Sequence, residues 1–138
     1  MHHAQVLVYE ADGKLAASLS QLAGQRGFRL RELRKVEACL GSLRRHGAGV
    51  LVIKLGRDLE RELTLLERVS WLYPDTATIV VGETANLALA GLAWDLGASF
   101  ALFPPQPLEL LPELVDGFLP KKEGHVSAEA PAGAAADA

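Results

Sequence analysis

Short apolar runs recur along this chain with a helical stretch after each, and that alternation narrows its fold more than any other feature. The runs are Gln5–Tyr9 (QVLVY), Gly49–Leu55 (GVLVIKL), Thr78–Val81 (TIVV) and Phe100–Phe103 (FALF). They are rich in β-branched or aromatic residues and apolar at consecutive positions. A strand covered on both faces reads that way, and such strands belong to parallel sheets. Phe28–Leu33 (FRLREL) alternates instead, as an edge strand does.

The stretches between follow the helical period. Leu15, Leu19, Leu22 and Ala23 fall on one face, and Val36, Leu40 and Leu43 repeat the spacing. Leu59, Leu63 and Leu66 do the same, then Leu89, Ala93 and Leu96, then Leu108, Leu111, Val115 and Phe118. Gly27, Gly47 and Gly97 stand where helices stop, Pro74 ends the third, and Asp12 is placed to cap the first. Pro112 falls inside the last pattern and predicts a late start or a kink there. Five strand–helix repeats joined by right-handed crossovers put helices on both faces of a sheet. They are too few for an eight-unit barrel and fit an α/β, flavodoxin-like, doubly wound five-stranded parallel sheet of order 2-1-3-4-5 with five helices.

Residues 1–119 read as one domain. Residues 120–138 are Ala, Gly, Pro and charge with one large aliphatic, Val126, and read as a disordered tail. Of the 138 residues, 14 are Lys or Arg and 17 Asp or Glu, a net charge of −3 that disfavours nucleic acid as a partner. No apolar stretch reaches the roughly 18 residues needed to cross a bilayer, and the first residues lack a basic leader. The expected compartment is the cytoplasm. A single cysteine, Cys39, excludes a disulfide framework, and beside Leu40 in a helical pattern it reads as a buried inert thiol.

In an open α/β sheet, chemistry gathers at the carboxyl ends of the strands. Those ends read Tyr9-Glu10-Ala11-Asp12, Ile53-Lys54-Leu55-Gly56, Val81-Gly82-Glu83-Thr84 and Phe103-Pro104-Pro105. The run LVYEAD, the segment GASFALFPP at 97–105 and the element order together resemble a response-regulator receiver (CheY-like) domain over residues 4–119. The resemblance implies an aspartate phosphoacceptor after strand three, an acidic pair holding Mg²⁺ after strand one, a hydroxyl after strand four and a Lys before a proline after strand five. This chain departs from that pattern. The phosphoacceptor position falls on Lys54, and the acidic pair on Glu10 and Ala11 with Asp12 beyond. The hydroxyl position falls on Gly82, with Thr84 two residues on. The lysine position falls on Pro104, with the following proline kept as Pro105. The aromatic that rotates on activation falls on Ala101, beside Phe100.

Phosphoryl transfer needs a carboxylate nucleophile, a metal and cationic or hydroxyl contacts. An ammonium at position 54 repels Mg²⁺ and offers no nucleophile, so the expectation is a degenerate pseudo-receiver without catalysis, metal or cofactor. Lys54 is expected near Glu10 and Asp12, standing in for the metal. The expected role is a protein–protein interaction module in bacterial signal transduction. The helix-four to helix-five face, with Trp94, Phe100, Ala101 and Phe103, would meet a protein partner or a second copy. Trp71 and Tyr73 are expected in the core or at its rim. Two rivals stand beside this reading. One is a small-ligand or nucleotide sensor in a cleft lined by Glu10, Lys54, Gly82 and Thr84. The other is an unorthodox phosphoacceptor at Asp12 or Asp58, although Asp58 reads better as a helix cap. The basic stretch 26–45 against an acidic remainder from residue 74 can steer a charged partner or favour antiparallel self-association, and charged side chains on strand two protect that edge. His2, His3, His46 and His125 are too scattered for a metal site.

Overall fold

The computed structural model describes residues 4–120. The tail from Lys121 onward and His2, His3 and His125 lie outside the described residues. Five strands form one parallel sheet: β1 (Gln5–Tyr9), β2 (Arg29–Leu33), β3 (Val50–Lys54), β4 (Ala77–Val81) and β5 (Phe100–Leu102). Their order is β2-β1-β3-β4-β5, as the alternation predicts. The connecting helices are α1 (Lys14–Arg26), α2 (Val36–His46), α3 (Leu59–Leu72), α4 (Leu87–Asp95) and α5 (Leu111–Phe118).

The consecutive apolar residues of the central strands divide between two cores. Leu7, Leu51, Ile53 and Val80 pack with Leu40 and Leu43 of α2, Leu65, Leu66 and Val69 of α3, and Ala93 of α4. Val6, Val8, Val50, Val52, Ile79 and Val81 pack on the opposite face with Leu15 and Leu19 of α1 and Leu111 and Val115 of α5. Side chains alternate along a strand, so a run without polar interruption feeds both layers. Each fully buried Leu or Ile contributes about 1.5–3 kcal/mol relative to exposure. The edge strand β2 differs: Leu33 is buried while Arg29 and Glu32 are exposed.

Helix boundaries follow local chemistry. Gly27 takes a left-handed conformation (φ 76°) after α1, and its N–H donates to the carbonyl of Ala23. Pro112 sits in the first turn of α5, where its missing N–H costs nothing, and a 3-10 turn at Leu108–Leu110 precedes it. This is the late start that the proline predicts. Asp58 caps α3 by accepting from the backbone N–H of Arg61 at 3.3 Å. Cys39 is fully buried. Trp71 departs from expectation. It is 80% exposed, because at the end of α3 it points away from the layer that Leu66 and Val69 enter.

Candidate functional site

The carboxyl ends of β1 and β3, with the loops after β2 and β4, surround an open cleft of about 460 Å³. Its lining includes Tyr9, Glu10, Asp12, Arg34, Lys54, Arg57, Asp58, Arg61, Glu62 and Glu83. Lys54 continues β3 to its last residue, one position beyond the fully buried Ile53, which projects its side chain from the sheet end. Its ammonium lies 3.0 Å from Asp12 Oδ2 and 3.2 Å from Glu83 Oε2. One cation thus ties the loops after β1, β3 and β4 together. Burial alone would lower the Lys54 pKa; the hydrogen bonds and charges of Asp12 and Glu83 outweigh it and hold the ammonium above its ordinary value. Asp12 is pulled down to about 2, first by the backbone N–H of Lys14, then by Lys54.

Glu10 does not join this bridge. It is buried, and its carboxylate accepts from the backbone N–H groups of Leu15 at 3.0 Å and Ala16 at 2.9 Å. These are orphan donors at the start of α1, and a carboxylate there also meets the positive end of the helix dipole. Glu10 therefore does the capping expected of Asp12, whose own bond reaches only Lys14. The residue at the cap position is Gly13, which offers no side chain. Glu83 takes the place expected for Glu10 beside Lys54.

Glu62 holds the next loop in the same manner. Although on α3, it is 3% exposed. Its oxygens accept from the backbone N–H groups of Gly56 at 2.9 Å, Arg57 at 3.2 Å and Asp58 at 2.9 Å. Sequence reasoning missed both Glu62 and Glu83. A Glu four residues after the capping Asp58, on the apolar side of its helix beside Leu65 and Leu66, was the available signal for the first. Glu83 had only its place at the end of β4.

The remaining sequence candidates lie elsewhere. Gly82, Thr84, Pro104 and Pro105 do not line the cleft. Gly82 is under the Phe103 ring, which a Cβ there would overlap, so its glycine serves close packing and not an anion. Thr84 is exposed, and the peptide between Pro104 and Pro105 is cis. Phe103 and Ala101 belong to the core, each 6% exposed, and cannot contribute to a partner face as expected. Trp94 and Phe100 do meet, edge to face, with centroids 5.7 Å apart. Trp94 stands in an exposed apolar neighbourhood on α4 with Leu87 and Leu92.

No family model and no curated protein matches this chain. Solved structures do. A response regulator from Thermotoga maritima aligns at TM-score 0.70 and 20% identity, covering 84% of this chain and 97% of its own. A CheY-like receiver domain protein from Methanospirillum hungatei JF-1 aligns at TM-score 0.66 and 18% identity, over 84% and 96%. HP1043, an orphan response regulator of H. pylori, gives TM-score 0.71 at 14% identity, over 85% and 97%. The fold is that of response-regulator receiver domains.

The Mg²⁺ that this receiver fold implies can be tested against the residues present. Glu10 is spent on two amides, Asp12 is bonded by an ammonium at 3.0 Å, and position 11 is alanine. A divalent cation needs several oxygen ligands and is repelled by an adjacent ammonium. The donor set does not fit it. Among the described residues no group of three His, Cys, Asp or Glu side chains is placed to hold a metal, and no helix is long and apolar enough to cross a membrane.

Proposed function

We propose that the chain is a phosphorylation-independent, receiver-like domain acting as a protein–protein interaction module in bacterial signal transduction, in the cytoplasm and without catalysis. The observation that carries this reading is the Lys54 ammonium, held at 3.0 and 3.2 Å by Asp12 and Glu83 at the end of β3. The receiver resemblance assigns that position to an aspartate nucleophile. Lysine there supplies neither the attacking carboxylate nor a place for the metal. Asp58 and Asp12 are not replacements, because each already serves a backbone N–H and a cation.

Contact would run through α4. That helix carries no charge before Asp95, Leu87 is 91% exposed and Trp94 47%. Leu87 and Trp94, two turns apart, fall on one face of the helix, and exposed Trp and Leu on one face are the composition of an interface anchor. A protein partner or a second copy of the chain covers this face on the proposed reading.

The test is incubation with acetyl phosphate, and separately with beryllofluoride, in the presence of Mg²⁺. The expected result is an unchanged intact mass and an unchanged amide NMR spectrum. A phosphorylated mass, or shifts centred on the cleft, would overturn the reading. Light scattering of the wild type and a Leu87→Ala/Trp94→Ala variant reads the interaction half, with concentration-dependent association expected only for the wild type if the partner is a second copy.

A further inference from the structure

The edge strand β2 and helix α2 carry a group of cations that the cleft does not use. Arg31 on β2 donates from Nη1 to Ser42 Oγ on α2 at 3.2 Å, which holds its guanidinium against that helix. Arg44 and Arg45, in the last turn of α2, fold back toward the same place. The position where a Cβ would sit at Gly41 lies 3.1 Å from Arg45 Nη1 and 3.9 Å from an Arg44 Nη2. Two guanidinium groups therefore lie over Gly41, and a third reaches the side chain of the adjoining Ser42. Among the described residues, none of the three has a carboxylate within 4.0 Å. Like charges drawn together without a counter-charge repel, and the arrangement is relieved by an anion.

The same edge extends the group. Leu33 and Arg31 share the α2 side of the sheet, and alternation puts Arg29 there too. The sheet order leaves the outer side of β2 unpaired by any strand. The cations thus follow an extended line along β2 and onto α2, and none of Arg29, Arg31, Arg44 and Arg45 lines the cleft. A line on an open surface suits an extended polypeptide better than a small anion, which needs a concave site. The chain's own charge of −3 opposes a nucleic acid. We infer that the β2–α2 face docks an acidic segment of a partner protein, its carboxylates entering the Arg31–Arg44–Arg45 cluster in bidentate contacts.

This face is separate from α4, so the two stand or fall by different variants. The full chain, isotopically labelled, is titrated with a ten-residue poly-glutamate peptide at low salt and followed by amide NMR. The expected shifts centre on Arg31 and on Gly41 to Arg45. Arg44→Gln/Arg45→Gln is expected to weaken binding at least tenfold, as the loss of charge-assisted contacts predicts. Raising the salt weakens it as well. Leu87→Ala/Trp94→Ala leaves it unchanged. Shifts confined to the cleft, an unaltered affinity in the double glutamine variant, or tighter binding of a ten-nucleotide single-stranded DNA would each overturn the inference. Neither arginine is buried, and a melting curve on each variant reports that the fold is kept.

Discussion

Replacing Glu62 by alanine removes the side chain that gathers three backbone donors of the loop entering α3. Three backbone donors, on Gly56, Arg57 and Asp58, point at its carboxylate at 2.9–3.2 Å. A hydrogen bond to a charged group contributes about 1.5–3 kcal/mol, and an abandoned buried donor costs about 1–3 kcal/mol. The three bonds share two oxygens, and exposed Gly56 and Arg57 let water replace part of what is lost. We therefore expect Glu62→Ala to destabilise the chain by about 2–4 kcal/mol. A domain of this size has about 5–15 kcal/mol in all, so the loss is large. Glu62→Gln keeps one acceptor oxygen but turns an NH₂ toward the remaining donors, and should fall at about half that cost. Glu60→Ala, two residues away and exposed in the same first turn, should change stability by less than about 0.5 kcal/mol.

Urea unfolding followed by circular dichroism gives these differences directly. Amide hydrogen exchange localises them, since the N–H groups of Gly56, Arg57 and Asp58 should exchange faster in the alanine variant while those of β1 keep their relative protection. If Glu62→Ala shifts stability no more than Glu60→Ala, and the three amides exchange as in the wild type, the carboxylate is not what holds this loop.

Three other outcomes follow from the same structure. Asp12 titrates at about 2 against an ordinary 3.8, so its stabilising contribution is fully present above pH 3.8 and is lost as the pH falls toward 2. In Lys54→Met, a carboxyl-detected NMR titration should find it raised but still below 3.8, because the Lys14 amide remains. Gly24→Ala on α1, where a Cβ meets nothing within 4 Å and the backbone is helical, should raise stability by about 0.5–1 kcal/mol in urea unfolding. Burial pushes the Cys39 thiol up to about 12, so a thiol reagent at neutral pH should modify it only at the rate of unfolding, and a fast native-state reaction would contradict the burial.

The sheet was legible because its strands are apolar on both faces. A residue-by-residue run such as Val50-Leu51-Val52-Ile53 has no other place to go than between two helical layers, and Pro112 marked its own helix start. The place of Lys54 was legible as well, since a charged residue that closes a buried apolar strand carries its ammonium to the open end of the sheet. Its partners were not. Whether Glu10 or Glu83 reaches an ammonium depends on which carboxylate is drawn away first, and the amides of Leu15 and Ala16 draw Glu10. Those amides exist as donors only once α1 has formed. The same holds for Phe103, which looked like a surface aromatic in FALF until the bare backbone of Gly82 gave its ring a place to lie.

The α1 start, the loop into α3 and the Lys54 cation at this sheet end are satisfied from within. The α1 start has Glu10, the loop into α3 has Glu62, and Lys54 has Asp12 and Glu83. A ligand shifts a conformational equilibrium only by binding one state better than another. An anion approaching Lys54 would have to displace a tethered carboxylate that is already at hydrogen-bond distance, and an incoming cation would have to displace Lys54. Either exchange breaks as many charge-assisted contacts as it makes, which leaves little differential affinity to drive a switch from this end. Unmet interactions remain on the flanks, in the uncharged face of α4 and the uncompensated arginines of α2. On the proposed reading, a partner gains more free energy by covering those flanks than by displacing the carboxylates that hold Lys54.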